Sequence, residues 1–176
     1  MEPSKMPENS GPIVNRVAQS KLLTFDLEDY YQEGSRVLFD ISEWLYEGII
    51  LREKEFRAAA EAHDWTRYQD AYVALHCATD AIVPGWAYML LTVKLSPYAK
   101  RVVQGDLEML ETSLYQSVLE NLDLSAYQDK PVIVKGCSKK PVPPNAYLLI
   151  TGRLQRVARS VMYGEACSSV PLFKRK

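Results

Sequence analysis

Cys77 and Cys137 stand in matching surroundings: each closes a short apolar run and precedes a polar loop that leads to a proline. Cys167, in Gly164-Glu165-Ala166-Cys167-Ser168-Ser169, is the third thiol, and His63 and His76 are the two imidazoles. Three thiolates and the imidazole of His76 would suit Zn²⁺ or an iron–sulfur cluster. A thiol at a strand end, close to a helix N-terminus, meets partial positive charge, which favours a nucleophilic thiolate. The candidate metal ligands are therefore Cys77, Cys137, Cys167 and His76, with zinc or iron as the metal. The candidate nucleophiles are Cys77 and Cys137. Core packing is the simpler alternative, because free cysteine is among the most buried residue types. Adjacent strand residues also point to opposite faces, which separates His76 from Cys77.

Other chemistry is sparse. The chain has no phosphate loop, G-x-G-x-x-G, H-E-x-x-H, G-x-S-x-G or C-x-x-C motif. The acidic set Asp26, Glu28, Asp29 and Glu33 has the residue types for a hard cation, but a solvated turn explains it as well. Tyr88 and Tyr147 occupy matching places, where their hydroxyls would line a cleft or their rings would pack a helix.

The elements that hold these residues repeat. Residues 64–106 lie over 123–165 at a constant shift of 59, with fifteen identities. Among them are Asp64 on Asp123, Tyr68-Gln69-Asp70 on Tyr127-Gln128-Asp129, Val83-Pro84 on Val142-Pro143, and Gly105 on Gly164; a slip of one brings Cys77 onto Cys137. Each copy reads as a turn, a strand (72–75 or 132–134), a loop, a helix opened by proline, and a second strand (101–103 or 160–163). The first copy continues into an amphipathic helix over 107–122. Upstream, 21–25 and 36–40 read as strands. The pair Asp40 and Glu43 has capping-box spacing, 49–51 reads as a strand and 54–63 as a helix. On that reading 36–63 is a worn third copy. Strands alternating with helices predict an α/β fold: a mixed or parallel sheet with helices, built on an internal strand-helix-strand duplication.

The chain has 176 residues, 47% apolar and 24% charged, with net charge −1. That fits one domain over 13–176 behind a flexible N-terminus at 1–12, with no field favouring nucleic acid or an anionic membrane. The end, Phe173-Lys174-Arg175-Lys176, reads as a solvated basic tail. Met1 to Pro12 lacks the apolar core of a signal peptide, and no run reaches the roughly 20 apolar residues of a membrane span. An odd number of widely spaced cysteines suits reduced thiols, so a soluble, cytoplasmic protein is expected.

The strings DAIVPGWAYMLLTVKL, YQDKPVIVKGCS and MYGEACSSVPLFKRK resemble an uncharacterised bacterial family, catalogued as a domain of unknown function. The likeness runs from Asn15 to the C-terminus and departs at Ala166, where proline is expected. The resemblance implies no activity. It does imply an association with the sulfur-mobilisation machinery of iron–sulfur assembly, and so a protein partner with metal or sulfur handled by the cysteines. The leading expectation is a non-enzymatic accessory or interaction protein; the alternative is a cysteine-dependent enzyme or sulfur carrier.

Overall fold

The computed structural model describes residues 22–136, 139–165 and 167–176, so the 1–12 segment and Cys137 lie outside the described residues. The strands are β1 (Leu23–Asp26), β2 (Arg36–Asp40), β3 (Tyr72–His76), β4 (Arg101–Gln104), β5 (Pro131–Lys135), β6 (Ser160–Glu165) and β7 (Ser168–Lys174). The helices are α1 (Glu53–Ala62), α2 (Gly85–Leu95), α3 (Leu107–Leu119) and α4 (Pro144–Val157). The expected α/β class holds, but as two sheets. One is mixed, in the order β1-β5-β6-β7, and the other is parallel, in the order β2-β3-β4.

Both sheets contain a parallel triplet of the same design. A strand–helix–strand unit (β3-α2-β4 or β5-α4-β6) lies beside one strand from the first forty residues. β1 runs parallel to β5, with Leu23 against Val132, and β2 runs parallel to β3, with Arg36 against Tyr72. Each of these early strands ends in an aspartate that caps a 3₁₀ turn. Asp26 Oδ1 accepts from the Glu28 N–H at 3.0 Å, and Asp40 Oδ1 from the Ser42 N–H at 2.9 Å. Positions 59 apart also share backbone geometry. Asp70 and Asp129 both have positive φ, 59° and 53°, and so do Gly105, just after β4, and Gly164, near the end of β6.

Residues 36–63 form no further copy. They contribute β2, a 3₁₀ turn and α1, and the strand expected at 49–51 is absent. Glu47 and Gly48, at φ 51° and 73°, instead reverse the chain into a turn bridged between Tyr46 and Ile50. The basic end is likewise more than a tail. Phe173 and Lys174 end β7, which runs antiparallel to β6, and Phe173 packs against the core. Arg175 donates to Asp129 at 2.9 Å and to the Arg156 carbonyl at 3.0 Å.

One core fills the space between the three-stranded sheet and α1 and α2, around Phe39, Ile41, Phe56, Val73, Leu75, Leu91 and Leu95. A second, around Phe25, Leu27, Val132, Val134, Ile150 and Leu154, lies under α4. Helix α3 joins the two. Its Leu110 and Leu114 pack on Tyr72 and Ala74 of β3, while Tyr115 and Leu119 belong to the second core. Between these positions sits Glu111, the one buried charged residue in the described chain. It takes Arg36 side-on, Nε to Oε1 at 2.6 Å and Nη2 to Oε2 at 3.2 Å. The Arg36 guanidinium lies over the rings of Tyr31 and Tyr72, 4.3 and 5.1 Å from their centroids. Gly34 makes room, because a Cβ there would stand 2.8 Å from the Tyr72 ring. Burial would lower the Arg36 pKa, but the bond and charge of Glu111 outweigh it and hold the guanidinium above its ordinary value.

Removing one partner leaves a buried charge without its counter-ion. Glu111→Leu alone should lose about 3–5 kcal/mol in urea unfolding, while the double variant Arg36→Met with Glu111→Leu should recover most of that. Equal losses in the single and double variants would show that the pair does not behave as a unit.

Candidate functional site

Cys77 follows β3 at the carboxyl edge of its sheet, half-buried against the first core. Its Sγ is 3.5 Å from Thr79 Oγ1, and the single hydroxyl hydrogen of Thr79 goes to the Gly48 carbonyl at 2.6 Å. The Cys77 S–H must therefore donate to Thr79, a bond that only the thiol form makes. Burial, and then the neighbouring Cys77, raise the Tyr88 hydroxyl above the ordinary phenol value, against a hydrogen bond with Gln104. The loop is anchored from β2, where Asp40 Oδ1 accepts the Ala78 N–H at 3.0 Å. Burial opposes ionisation of Asp40, but the bonds from Ser42 and Ala78 and the nearby His76 prevail and hold its carboxyl below the usual range.

His76 shares the strand parity of Tyr72 and Ala74, which face α3, whereas Cys77 packs on the opposite side. Cys167 is exposed at the turn between β6 and β7, in the other sheet, and Cys137 lies outside the described residues. Among the described residues, no three His, Cys, Asp or Glu side chains gather as a metal site. The early acidic set is dispersed among partners. Asp26 caps its turn and pairs with Lys135 at 2.9 Å, Glu28 accepts the Lys139 N–H at 3.1 Å, and Glu33 pairs with Lys140. Tyr147, the counterpart of Tyr88, donates its hydroxyl to the Gly136 carbonyl and meets the Tyr163 ring edge-on.

A groove of about 330 Å³ lies elsewhere, lined by Val37, Leu38, Phe39 and Asp40 and faced by Glu43, Trp44, His63, Arg67 and Tyr68. Side chains alternate along a strand, so four consecutive lining residues place this groove along the edge of β2 rather than over one face. Among the described residues, β2 is the end strand of its sheet. The Tyr72 N–H donates to the Ser35 carbonyl at 2.8 Å. In a parallel ladder that phase turns the N–H and C=O of Val37 and Phe39 towards β3 and those of Arg36, Leu38 and Asp40 outwards. The opposite wall is aromatic. The His63 ring sits 4.7 Å from Trp65, 5.3 Å from Trp44 and 5.6 Å from Tyr68, with Nε2 2.9 Å from the Tyr68 hydroxyl. Burial, and then the charge of Arg67, hold His63 below the ordinary imidazole value, against the pull of Asp64.

Sequence reasoning passed over Glu43, His63, Arg67 and Tyr68 because the groove exists only once β2 is the outer strand. The available signal was local: two tryptophans, two tyrosines, a phenylalanine and a histidine fall within residues 44–68.

Two outcomes follow. Iodoacetamide at neutral pH should alkylate the exposed Cys167 about tenfold or more faster than Cys77, whose reaction requires losing the bond to Thr79; comparable rates would remove that bond from the account. His63 takes a proton less readily folded than unfolded, so its contribution to stability is complete above about pH 6.5 and declines as pH falls below it. Urea unfolding across pH 5–8 should show this slope, and His63→Gln should flatten it.

No helix among the described residues is long and apolar enough to cross a membrane. No curated protein and no solved structure matches the chain. A family model described as "Protein of unknown function (DUF2480)" matches residues 11–175. With nearly all of its length under that match, both sheets and the groove along β2 included, the chain belongs to the DUF2480 family.

Proposed function

We propose that the chain is an interaction protein that binds an extended segment of a partner as an added strand along β2. The observation that carries this reading is the edge itself. β2 has outward N–H and C=O groups, no proline, lysine or bulge, and a side-chain-lined groove beside it. Natural sheets usually blunt such an edge. β7 shows how, with Pro171 and Lys174 in the strand and an irregular register at Val161/Met162. Main-chain hydrogen bonds would supply affinity, and the flanking side chains would select. Glu43 and Arg67 stand close enough to the Tyr68 hydroxyl to bias it in opposite senses, yet neither is in an ion pair among the described residues. Charged side chains of a partner can therefore meet either.

Two sequence expectations join this reading. The shared local geometry at positions 59 apart supports descent of the two units by duplication. The resemblance to a family linked with iron–sulfur assembly supports that machinery as the first place to seek the partner. A metal role through Cys77, Cys137, Cys167 and His76 depends on Cys137.

The test is an array of overlapping synthetic peptides from iron–sulfur assembly proteins, together with a randomised set. Leu38→Pro deletes one outward N–H without touching the β2–β3 ladder, and an edge strand tolerates proline. A bound peptide should lose affinity about tenfold or more on this variant, or ~1.4 kcal/mol, and little on Leu38→Ala. Unchanged binding to a folded Leu38→Pro variant, or no binding peptide at all, would overturn the reading.

A further inference from the structure

A second cleft opens where the two sheets meet, with a volume of about 460 Å³. Tyr31, Leu107 and Val142 form its apolar walls with the run Pro141, Pro143 and Pro144, and Arg36 and Glu111 line it too. Pockets that hold small molecules fall in this size range and share this plan, mostly apolar with a few fixed polar groups. We propose that this cleft binds a compact, uncharged, largely apolar molecule through one carbonyl-type acceptor, which the Arg36 guanidinium receives.

The hydrogen-bond inventory of Arg36 leads there. A guanidinium has five N–H groups. Nε and Nη2 each give one to Glu111, and Nη1 gives one to the Gly34 carbonyl at 2.7 Å. Two remain, on a side chain only 12% exposed. The Tyr31 and Tyr72 rings lie 4.3 and 5.1 Å from its central carbon, and the N–H groups of a planar guanidinium point in its plane, where an acceptor must meet them. The lining of the cleft by Arg36 gives that approach a place to begin.

Charge selects the ligand. Glu111 neutralises Arg36, and Glu108 adds a further carboxylate to the lining. A buried anion would face two carboxylates against one guanidinium, and a buried cation would compete with Arg36 for Glu111. At the Tyr31 side, Lys140 lies 4.7 Å over that ring and is itself paired with Glu33. A neutral molecule carries no desolvation cost of charge, and its acceptor needs only what Arg36 has left.

Benzamide, benzoate and toluene serve as probes, read by amide chemical-shift changes in the ¹⁵N-labelled full chain. Benzamide should shift Tyr31, Leu107 and Val142 saturably at millimolar concentration, with benzoate and toluene each about tenfold weaker or more. Leu107 is partly exposed at the start of α3, so Leu107→Trp should fold and block the cleft, weakening benzamide about tenfold or more. Benzoate or toluene binding as well as benzamide would overturn the ligand class. Absence of saturable shifts at those residues, or indifference to Leu107→Trp, would overturn the site. Leu38→Pro should leave benzamide binding unchanged, which keeps this result separate from the groove along β2.

Discussion

The ion pair between Arg36 and Glu111 is the contact on which the relation of the two sheets depends. Arg36 begins β2 and Glu111 lies midway along α3, so the pair ties the three-stranded sheet to the helix that also enters the other core. A buried pair adds little to stability over well-packed apolar residues, but it tolerates few alternatives. A hydrophobic seam can slide by a turn with modest loss. A guanidinium paired side-on with a carboxylate cannot move without separating two charges. Leu110 and Leu114 on one side and Tyr115 and Leu119 on the other supply the apolar burial, of order 1.5–3 kcal/mol per large side chain. Glu111 sets the rotation at which they are delivered.

Around this joint the chain uses one local grammar twice. An aspartate ends each early strand and caps the following 3₁₀ turn, a second aspartate opens the turn before each central strand, and a proline precedes each principal helix. These signals are short-range. That is why β2 and the helical runs were readable from residues alone, and why the 59-residue shift places equivalent strands correctly. The strand expected at 49–51 failed on equally local grounds. Three apolar residues look like a strand, but Glu47 and Gly48 impose a reversal that a composition of Ile-Ile-Leu does not reveal.

What sequence did not disclose is non-local. Strand order decides that β1 leaves its sequence neighbour β2 for β5, and that β7 folds back on β6 instead of trailing into solvent. Cys77 was legible as a strand-end thiol, but its donation to Thr79 depends on Gly48, from a turn about thirty residues upstream. The same holds for His63. It is one of only two histidines, and its chemistry comes from a wall of rings and an edge strand that meet only in the fold.

The two units differ where equivalent positions meet other neighbours. At the end of β3 stands His76, beside the half-buried and hydrogen-bonded Asp40. At the matching end of β5 stands Lys135, paired with Asp26. The mixed sheet covers β6 with β7, while among the described residues the three-stranded sheet ends in β4. Two units of like strand–helix–strand design thus present dissimilar surfaces, and β2 takes part in both features that distinguish its half. Its outward backbone lines the groove, and the side chain of Arg36, its first residue, lines the cleft between the sheets. Backbone and side chain of one strand line different cavities because a strand's hydrogen-bonding edge and its faces are perpendicular. That geometry permits Leu38→Pro and Leu107→Trp to act independently, although Leu38 is two residues from Arg36.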